Sequence, residues 1–496
     1  MKHLKKIMSL LLTAVMVLAM CIPVMATEGA ATPTYTITAP DNDHQYEIYQ
    51  IFTGDLNNGV LSNVKWGENG KGTKGEAVDE ATLNALTAVN VDGKTDAEKL
   101  AVIKKYADLT KASVETITKQ GSYGAAAGYY LIKDKDNSVS GNDVYTTYIV
   151  EVVGNVTIKS KSNVPSFEKK IKDTNDTTGV TSDWQDSADY DIGDQVPFKL
   201  EGTVADNYAD YKTYYFAFHD VEESGLTFKS DSVKVYVDGS EIKSGYEVVT
   251  ATTDGCTFEV VFNNLKEITA VKAGSKVTVE YTSELNANAV LGKEGNVNKA
   301  QLEFSNNPNK EQTGKPDTGK TPWDNVIVFT YQVVVDKYAN SVDGEKLTGA
   351  EFTLEKVLEN GGKETIRVIK SEDGTSFTFK GLDDGDYILT ETKTPDEYNT
   401  IDPITFTVTA EHEITWEGEE RNTRLTSLTG NQADGKITFT SDKDKGELST
   451  KVVNKKGSTL PTTGGIGTTI FYVVGVILML GAGVLLVTKK RMNADK

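Results

Sequence analysis

Short runs in which apolar and polar residues alternate, rich in β-branched and aromatic side chains, recur along most of the chain. Glycine, aspartate and asparagine bound these runs, as is typical of antiparallel strands. One stretch, residues 78–106, instead predicts two short helices, the second opening at Thr95 like a capped helix. The predicted strands are Thr34–Thr38, Tyr46–Phe52, Thr146–Val153, Val233–Val237, Val277–Tyr281, Val326–Val335, Phe352–Leu354, Ile404–Val408 and Ile437–Thr440. The pattern therefore predicts a mainly β chain of tandem sandwiches, with a short helical insertion in the first.

Polar, proline-containing stretches divide the chain. They fall at residues 161–165 and 321–324, and such stretches are typical of connections between domains. A chain of 496 residues has room for three or four domains of about 100 to 200 residues each. We predict three modules, at 27–162, 163–326 and 327–457.

The N-terminus has the pattern of a secretory signal peptide. A basic start precedes the apolar run Ile7–Met20. Val24 and Ala26 then stand at the −3 and −1 positions of a cleavage site, where small residues are expected. The run is too short for a comfortable membrane span, and it has no polar face. A lipoprotein signal at Cys21 is disfavoured, because Met20 stands where a small residue is expected. We predict that residues 1–26 are removed after Ala26.

The C-terminus predicts a membrane anchor. Ile466–Thr488 is a run of 23 uncharged, mostly apolar residues, about 34 Å long as a helix, which is enough to cross a bilayer. The basic residues 489–491 follow and place that end in the cytoplasm. The sequence Leu460-Pro461-Thr462-Thr463-Gly464 stands just before the predicted transmembrane helix. Together with the signal peptide, segment 458–496 resembles the cell-wall sorting signal of Gram-positive surface proteins.

This resemblance implies chemistry done to the chain by a sortase. The sortase thiolate attacks the Thr463 carbonyl, expels Gly464 with the membrane anchor, and holds the remainder as a thioacyl intermediate. Pro461 fixes its own φ and favours an extended Leu460, which suits an enzyme cleft. The implied partners are a sortase and peptidoglycan, after transient anchoring in the membrane. The implied location is the cell wall of a Gram-positive bacterium.

Charge and residue composition exclude several classes of function. Lys and Arg total 52 against 72 Asp and Glu, a net charge of −20, which makes a role in nucleic-acid binding unlikely on electrostatic grounds. Removing both ends takes away seven basic residues and one acidic residue, so the net charge becomes −26. Two Cys and four His exclude a disulfide scaffold and leave almost no material for a zinc site. No phosphate loop or catalytic triad is present, and we predict no cofactor, no metal and no enzyme activity on other molecules.

The third module carries the most specific internal motif. Strand alternation puts Val333, Val335 and Lys337 on one face, so the lysine is buried if the valines are. The motif consists of Tyr331–Lys337, Leu347–Phe352, Gly385–Thr392 and Lys451–Asn454. It resembles the collagen-adhesin B-type (CnaB) module, an immunoglobulin-like sandwich of the Cna type.

In the CnaB family a lysine, a glutamate and an asparagine form a spontaneous isopeptide bond. The match places these roles at Lys337, Glu391 and Asn454. Burial favours a neutral, nucleophilic amine, and a protonated Glu391 would polarise the Asn454 carbonyl as ammonia leaves. By analogy with disulfides, a crosslink that closes about 117 residues stabilises the fold by roughly 4 to 5 kcal/mol.

The second module has a parallel motif. Strand alternation selects Lys169 over Lys170, and Asn306 over Asn307, as the buried members. The motif comprises Val164–Asp173, Asp191–Val196, Phe218–Asp220, Gly225–Phe228 and Leu302–Pro308, and it resembles the fimbrial isopeptide-formation domain of pilin shafts. The resemblance implies a Lys169 to Asn306 bond with Asp220 as the acid. His219 is assigned no role.

The first module lacks a complete set. Gly128–Asp134 is similar in sequence to Gly385–Glu391 of the third module and has Asp134 at the position of the acid. However, the opening strand Tyr46–Phe52 has no lysine. We predict no internal bond there.

Shaft pilins carry a reactive lysine near the end of their first module. Val156–Lys161 resembles this pilin motif, although Ser160 replaces the proline of the family. The spacing favours Lys161 as the sortase acceptor, with Lys159 as the alternative. Thr463 of one subunit would then join Lys161 of the next, and repetition would build a covalent fibre.

The sequence thus resembles the major shaft pilins of sortase-assembled surface fimbriae. The implied partners are identical subunits and minor pilins. One alternative is a wall-anchored adhesin or minor pilin that binds a host or matrix ligand and does not need Lys161. A surface hydrolase is disfavoured, because the only candidate catalytic groups are the self-crosslinking sets.

Overall fold

The computed structural model describes residues 34–57, 60–89, 96–139, 143–152, 154–158, 164–308, 317–412, 414–417, 420–422, 425–432, 435–457, 471–480 and 482–483. The chain forms two compact units. The first comprises residues up to 139 together with 145–161, and the second comprises 140–144 and the residues from 162 onward.

The first unit contains two sheets and two helices. Its strands are β1 (Thr34–Thr38), β2 (Tyr46–Asn57), β3 (Val60–Trp66), β4 (Glu115–Ile117), β5 (Ser122–Ala126), β6 (Gly128–Asp134), β7 (Thr147–Val152) and β8 (Val156–Thr157), and its helices are α1 (Glu80–Val89) and α2 (Asp96–Lys104). One sheet has the order β5-β1-β8, and the other has the order β3-β2-β6-β7 with β4 paired to β2. The predicted helical insertion is confirmed.

Strand β2 supplies two hydrophobic cores in this unit. Tyr46 and Ile48 pack with Ile37 of β1, whereas Tyr49 and Ile51 pack with residues that include Leu86 of α1. Side chains alternate along a strand. The sheet that contains β2 therefore packs against the β5-β1-β8 sheet with one face and against the helices with the other.

The second unit begins with a sandwich of two sheets. Its strands are β9 (Ser166–Ile171), β10 (Thr174–Asn175), β11 (Val180–Thr181), β12 (Ser187–Asp189), β13 (Gln195–Thr203), β14 (Phe216–Glu222), β15 (Leu226–Val237), β16 (Ser240–Ile242), β17 (Glu247–Val249), β18 (Phe258–Phe262), β19 (Lys276–Leu285), β20 (Asn296–Ser305), β21 (Thr318–Lys320) and β22 (Asp324–Phe329). One sheet has the order β12-β22-β20-β14-β18-β17, with β21 on β20, and the other has the order β16-β15-β19-β13-β9. Short 3₁₀ turns lie at Asp206–Asp210, Leu265–Glu267 and Gly292–Glu294.

A second sandwich follows in the same unit. Its strands are β23 (Tyr331–Ala339), β24 (Glu351–Val357), β25 (Lys363–Ile366), β26 (Val368–Lys370), β27 (Ser376–Leu382), β28 (Gly385–Lys393), β29 (Ile404–His412), β30 (Thr415–Glu417), β31 (Glu420–Asn422), β32 (Leu425–Asn431), β33 (Phe439–Asp442) and β34 (Glu447–Asn454). The facing sheets have the orders β26-β27-β23-β34-β33 and β25-β24-β28-β29-β32. Strands β23 and β34, the first and last, are parallel neighbours. The mainly β sandwich architecture predicted from the pattern is confirmed.

The border between these sandwiches differs from the predicted one. The predicted border at residues 326 and 327 falls inside β22, which pairs with β20 and β12 up to Phe329. Thr330 therefore separates the two sandwiches. The polar stretch at residues 321–323 connects β21 to β22 within one sandwich. Its sequence resembles a linker because it is a loop.

About half of the predicted transmembrane helix at 466–488 lies outside the described residues. Residues 471–480 are helical and have mostly exposed apolar side chains. Within the part of the chain that the structure describes, no helix has the length and apolarity needed to cross a membrane.

A buried lysine joins the two sandwiches of the second unit. Lys356 of β24 is fully buried, and its ammonium contacts Asp383, Asp191 at 2.7 Å and Asp176 at 2.9 Å. Burial opposes the charged form, but the charges of Asp383 and Asp191 outweigh it and raise the pKa of Lys356. Asp176 and Asp191 precede β22, whereas Asp383 follows β27, so the ammonium holds both sandwiches.

We expect Lys356→Met to destabilise the second unit by about 3 to 5 kcal/mol, because it leaves buried carboxylates without their cation. Calorimetric unfolding of the variant measures this loss. Lys363→Met is the matched control, since Lys363 is exposed and pairs with Glu355 at 3.1 Å on the surface. Equal stability of the two variants would contradict the assigned role of the junction.

Candidate sites of intramolecular crosslinking

The predicted residues of the third module meet inside its sandwich. Lys337 lies on β23, Asn454 ends β34, and Glu391 lies on β28 of the facing sheet. Because β23 and β34 run parallel, with Lys337 opposite Val452, the asparagine lies only two residues further along the neighbouring strand. Lys337 and Asn454 are fully buried, and Glu391 is 5% exposed.

The contacts at this site connect nucleophile, acid and leaving group. The Lys337 Nζ contacts Asn454 Oδ1 and lies 3.2 Å from Glu391 Oε1. The Asn454 amide nitrogen donates to both Glu391 oxygens, at 3.0 and 2.9 Å, and to the Asn399 carbonyl at 2.9 Å. Glu391 thus lies between the amine and the amide nitrogen that would leave, where it can pass a proton from one to the other.

The surroundings favour the neutral amine. Burial lowers the pKa of Lys337, and the charge of Glu391 opposes this only in part. The ring of Phe352 lies 5.2 Å from Nζ, so the amine has an apolar wall on one side. Glu391 Oε2 also accepts hydrogen bonds from Thr394 Oγ1 at 3.3 Å and from the Ile401 amide at 3.2 Å, which fix the orientation of the carboxyl group.

The first sandwich of the second unit holds a similar buried set. Lys169 of β9 and Asp220 of β14 are both fully buried, and Lys169 Nζ donates to Asp220 Oδ2 at 2.5 Å. Lys170, by contrast, is partly exposed and pairs with Asp186 at 2.7 Å. Strand alternation thus does distinguish the two lysines.

A tyrosine and a different asparagine complete this set. The Tyr281 hydroxyl accepts from Lys169 Nζ at 2.7 Å and donates to Asp220 Oδ2 at 2.7 Å. The same hydroxyl accepts from Asn298 Nδ2 at 2.9 Å. Asn298 is fully buried, and the structure therefore brings Asn298 to the lysine.

Asn306 lies elsewhere, beyond the end of β20. Its amide nitrogen donates to the Asp143 carbonyl at 3.4 Å. Asp220 is opposite Ala300 in the β14–β20 register, and Asn306 lies six residues beyond Ala300, about 20 Å along an extended chain. The predicted choice of Asn306 over Asn307 as the buried residue is wrong, because both lie beyond the end of β20 and both are buried. Alternation also carries no information on position along the strand.

Desolvation dominates the electrostatics of this site. It lowers the pKa of Lys169 and raises that of Asp220, although each partner's charge opposes the shift. The pair is therefore biased toward its neutral amine and acid forms. Burial also raises the pKa of Glu222, near Asn298, to about 8, with Asp220 adding to the effect.

Two residues of the site escaped sequence reasoning. Tyr281 is only the last residue of the predicted strand Val277–Tyr281. Asn298 lies four residues before the motif segment Leu302–Pro308. The only signal for Asn298 is a polar residue on the apolar face of Asn298, Ala300, Leu302 and Phe304, a position where a polar side chain needs a buried partner.

The other predicted residues fall into two groups. In the first unit, buried Asp134 pairs with His44 Nδ1 at 2.9 Å, so a histidine occupies the position next to the acid. Lys161, Lys159 and the segment Leu460–Gly464 lie outside the described residues.

Three lysines are fully buried within the described chain, and they differ in chemistry. Lys169 and Lys337 each face one carboxylate that they contact directly, beside an asparagine. Lys356 contacts three carboxylates, which hold it as an ammonium ion. Burial alone thus does not make a nucleophile, because the number of neighbouring carboxylates sets the charge.

Comparison with known proteins agrees with this architecture. Residues 332–421 match the prealbumin-like fold domain, and residues 452–494 match the LPXTG cell wall anchor motif. The second match confirms the predicted sorting signal. The trypsin-resistant surface T6 protein of Streptococcus pyogenes serotype M6 is 23% identical over 553 aligned residues, covering 95% of this chain and 99% of that protein.

The fold is shared with a solved backbone pilin. The T6 backbone pilin of S. pyogenes serotype M6, which has a modular three-domain structure, matches 86% of this chain and 100% of its own, with 19% identity and a TM-score of 0.52. The major pilin SpaD of Corynebacterium diphtheriae matches 86% of this chain and 98% of its own, with 18% identity and a TM-score of 0.49. The predicted resemblance to a wall-anchored major pilin is confirmed.

The pKa of Glu222 generates a pH prediction. Below the ordinary pKa of a glutamate both folded and unfolded chains hold the proton; between about 4.5 and about 8 only the folded chain does. Stability is therefore lost as the pH rises through this window. We expect Glu222→Gln, which cannot ionise, to be more stable than the parent by about 4 kcal/mol at pH 8 and equal to it at pH 4, since each pKa unit between about 4.5 and about 8 corresponds to about 1.4 kcal/mol.

Denaturant unfolding at both pH values measures this difference. Glu241→Gln, at an exposed position of the same sandwich, is the control and should show no such change with pH. A Glu222→Gln advantage that does not grow with pH would contradict the buried, protonated carboxyl group.

Proposed function

We propose that this chain is the shaft subunit of a covalent surface fibre that a sortase assembles. The observation that carries the proposal is the pair of buried lysine, acid and asparagine sets in consecutive sandwiches. They precede a wall-anchor motif.

The bond in the third module would join Lys337 to Asn454. Lys337 first gives a proton to Glu391, so that a neutral amine faces a carboxylic acid. The amine nitrogen then attacks Asn454 Cγ, and Glu391 gives its proton to Nδ2 and accepts the second proton of the amine. The Cγ–Nδ2 bond breaks, Nδ2 leaves as ammonia, and Glu391 remains protonated. The side-chain groups condense to one amide and one ammonia, without any oxidant or cofactor.

The bond in the second module would join Lys169 to Asn298. Asp220 takes the place of Glu391, and Tyr281 holds the lysine and the asparagine on one hydroxyl. Asp220 Oδ1 and Asn298 Oδ1 are buried without a donor among the described residues. A protonated Asp220 that donates to Asn298 Oδ1 would satisfy both oxygens and polarise the carbonyl for attack.

The positions of the bonds suit a fibre under tension. If Lys161 accepts Thr463 of the next subunit, pulling force runs between residues 161 and 463. That path crosses both sandwiches of the second unit, where each bond would tie the first strand, β9 or β23, to β20 or β34 near the end of its sandwich. The first unit ends at Lys161, so the rest of it would lie outside the path, which agrees with the absence of a lysine from its strand β2.

The same thioacyl chemistry would end the fibre. Transfer of Thr463 to a peptidoglycan amine would fix the base to the wall, and minor pilins that offer an amine would be added by the same enzyme.

Intact-mass measurement of residues 27–463 tests the internal bonds. We expect a mass lower than the sequence mass by two molecules of ammonia. Asn298→Ala, Asn454→Ala and Glu391→Ala should each lose one of the two deficits. Asn306→Ala is the matched control and should keep both.

A full sequence mass in the parent would refute both bonds. Loss of one deficit in Asn306→Ala, with Asn298→Ala unaffected, would assign the second-module bond to Asn306 instead.

Polymerisation by a pilus-type sortase tests the shaft role. We expect a ladder of covalent multimers, and we expect Lys161→Ala to abolish it, whereas Lys159→Ala should leave it intact. Peptide sequencing of the crosslink should show Thr463 joined to the Lys161 side chain. A ladder that survives Lys161→Ala would move the acceptor to another lysine, and the absence of any ladder would favour a wall-anchored adhesin.

A further inference from the structure

His219 lies beside the crosslinking acid but faces the other way. Phe218 and Asp220, its neighbours on β14, point into the core and are fully buried. His219 therefore points to the outer face of the larger sheet, yet it is only 4% exposed. The loop before β18 covers it.

Three further donor atoms converge on the imidazole. His219 Nδ1 lies 3.0 Å from Asp254 Oδ2, 3.4 Å from Glu259 Oε1 and 3.7 Å from Cys256 Sγ. One ligand atom from each of the four residues lies within 4.8 Å of the others. Glu259 is directly opposite His219 in the β14–β18 register, so the sheet itself fixes this pair.

The distances from His219 Nδ1 to Glu259 and Cys256, 3.4 and 3.7 Å, are close to those between neighbouring ligands of one tetrahedral ion. With bonds of about 2.1 Å to nitrogen or oxygen and about 2.3 Å to sulfur, neighbouring ligands around Zn²⁺ lie roughly 3.4 to 3.6 Å apart. Small side-chain rotations would bring the Asp254 oxygen from hydrogen-bond distance to this spacing. The donor set of one nitrogen, one sulfur and two carboxylate oxygens suits Zn²⁺ and disfavours Ca²⁺ and Mg²⁺, which prefer oxygen alone.

The second ring nitrogen of His219, Nε2, contacts a buried carboxylate. Nε2 lies 2.9 Å from Glu303 Oε2, and Glu303 is buried and accepts from Thr318 Oγ1 at 2.5 Å. A carboxylate on one ring nitrogen fixes the proton there and directs the lone pair of the other nitrogen toward a metal. With an ion bound, Glu303 would hold the proton on Nε2 and leave the Nδ1 lone pair for the ion.

The local charge also favours a cation. Asp254, Glu259 and Glu303 face His219, and Lys320 is the cation that acts on Cys256. A divalent cation would offset the charge of these carboxylates and displace the proton of the Cys256 thiol.

We propose that His219, Asp254, Cys256 and Glu259 form a binding site for one divalent transition-metal ion of the Zn²⁺ type. The ion ties the loop before β18 to β14, on the opposite face of the strand that carries Asp220. The acidic cluster of Asp176, Asp191, Asp194 and Asp383 differs, because the Lys356 ammonium already contacts three of its members.

Metal titration of the untagged, metal-stripped chain, residues 27–463, tests the site. Native mass spectrometry with Zn²⁺ should show one bound ion per chain at low excess, and Ca²⁺ should not compete. We expect Cys256→Ser and His219→Gln each to weaken Zn²⁺ binding by at least tenfold, and Glu303→Gln to weaken it about tenfold without changing the stoichiometry. With Co²⁺ as a probe, a thiolate charge-transfer band should appear in the parent and be absent in Cys256→Ser.

His412→Gln is the matched control, since His412 lies near two carboxylates, Asp173 and Asp189, elsewhere in the unit. Its Zn²⁺ affinity should equal that of the parent, and circular dichroism without metal should show every variant folded. No bound Zn²⁺ in the parent would overturn the proposal. So would binding that survives both Cys256→Ser and His219→Gln, or binding that His412→Gln removes.

Discussion

Burial of a lysine amine inside a β-sandwich is the constraint on which the two crosslinking sites depend. A buried ammonium is costly unless carboxylates or other acceptors surround it. With one contacting carboxylate and an amide beside it, desolvation wins, and the pKa of Lys169 and of Lys337 falls. With three carboxylates, as at Lys356, the charge is kept. On our proposal, the same residue type would be a nucleophile inside each sandwich, whereas Lys356 forms ion pairs at the junction.

Strand topology explains why the crosslinking sets can form at all. In the last sandwich the first and last strands are parallel neighbours, so residues far apart in sequence meet at one level. In the preceding sandwich, β9 and β20 belong to different sheets. The lysine reaches across the core to Asp220 and also contacts Tyr281 of its own sheet. An amide bond at either place closes a long loop of chain, which limits the conformational freedom of the unfolded state.

Strand β14 connects the two kinds of chemistry that we infer. Asp220 faces the core and serves the proposed bond, whereas His219 faces outward and is surrounded by Asp254, Cys256 and Glu259. The period of two in a strand separates these environments although the residues are adjacent. Composition had left almost no material for a zinc site, yet the structure gathers one of four histidines and Cys256 at one point.

The sequence by itself determined the β architecture, the helical insertion and the sorting signal, because these depend on local periodicity and short motifs. It also selected the inward-facing lysines, since side-chain direction along a strand follows from sequence alone. Only the tertiary structure decided which asparagine meets Lys169, where the two sandwiches divide, and which residues surround Lys356 and His219. Those outcomes depend on register between strands distant in sequence, and a period of two fixes the face of a residue but leaves its level in the sandwich undetermined.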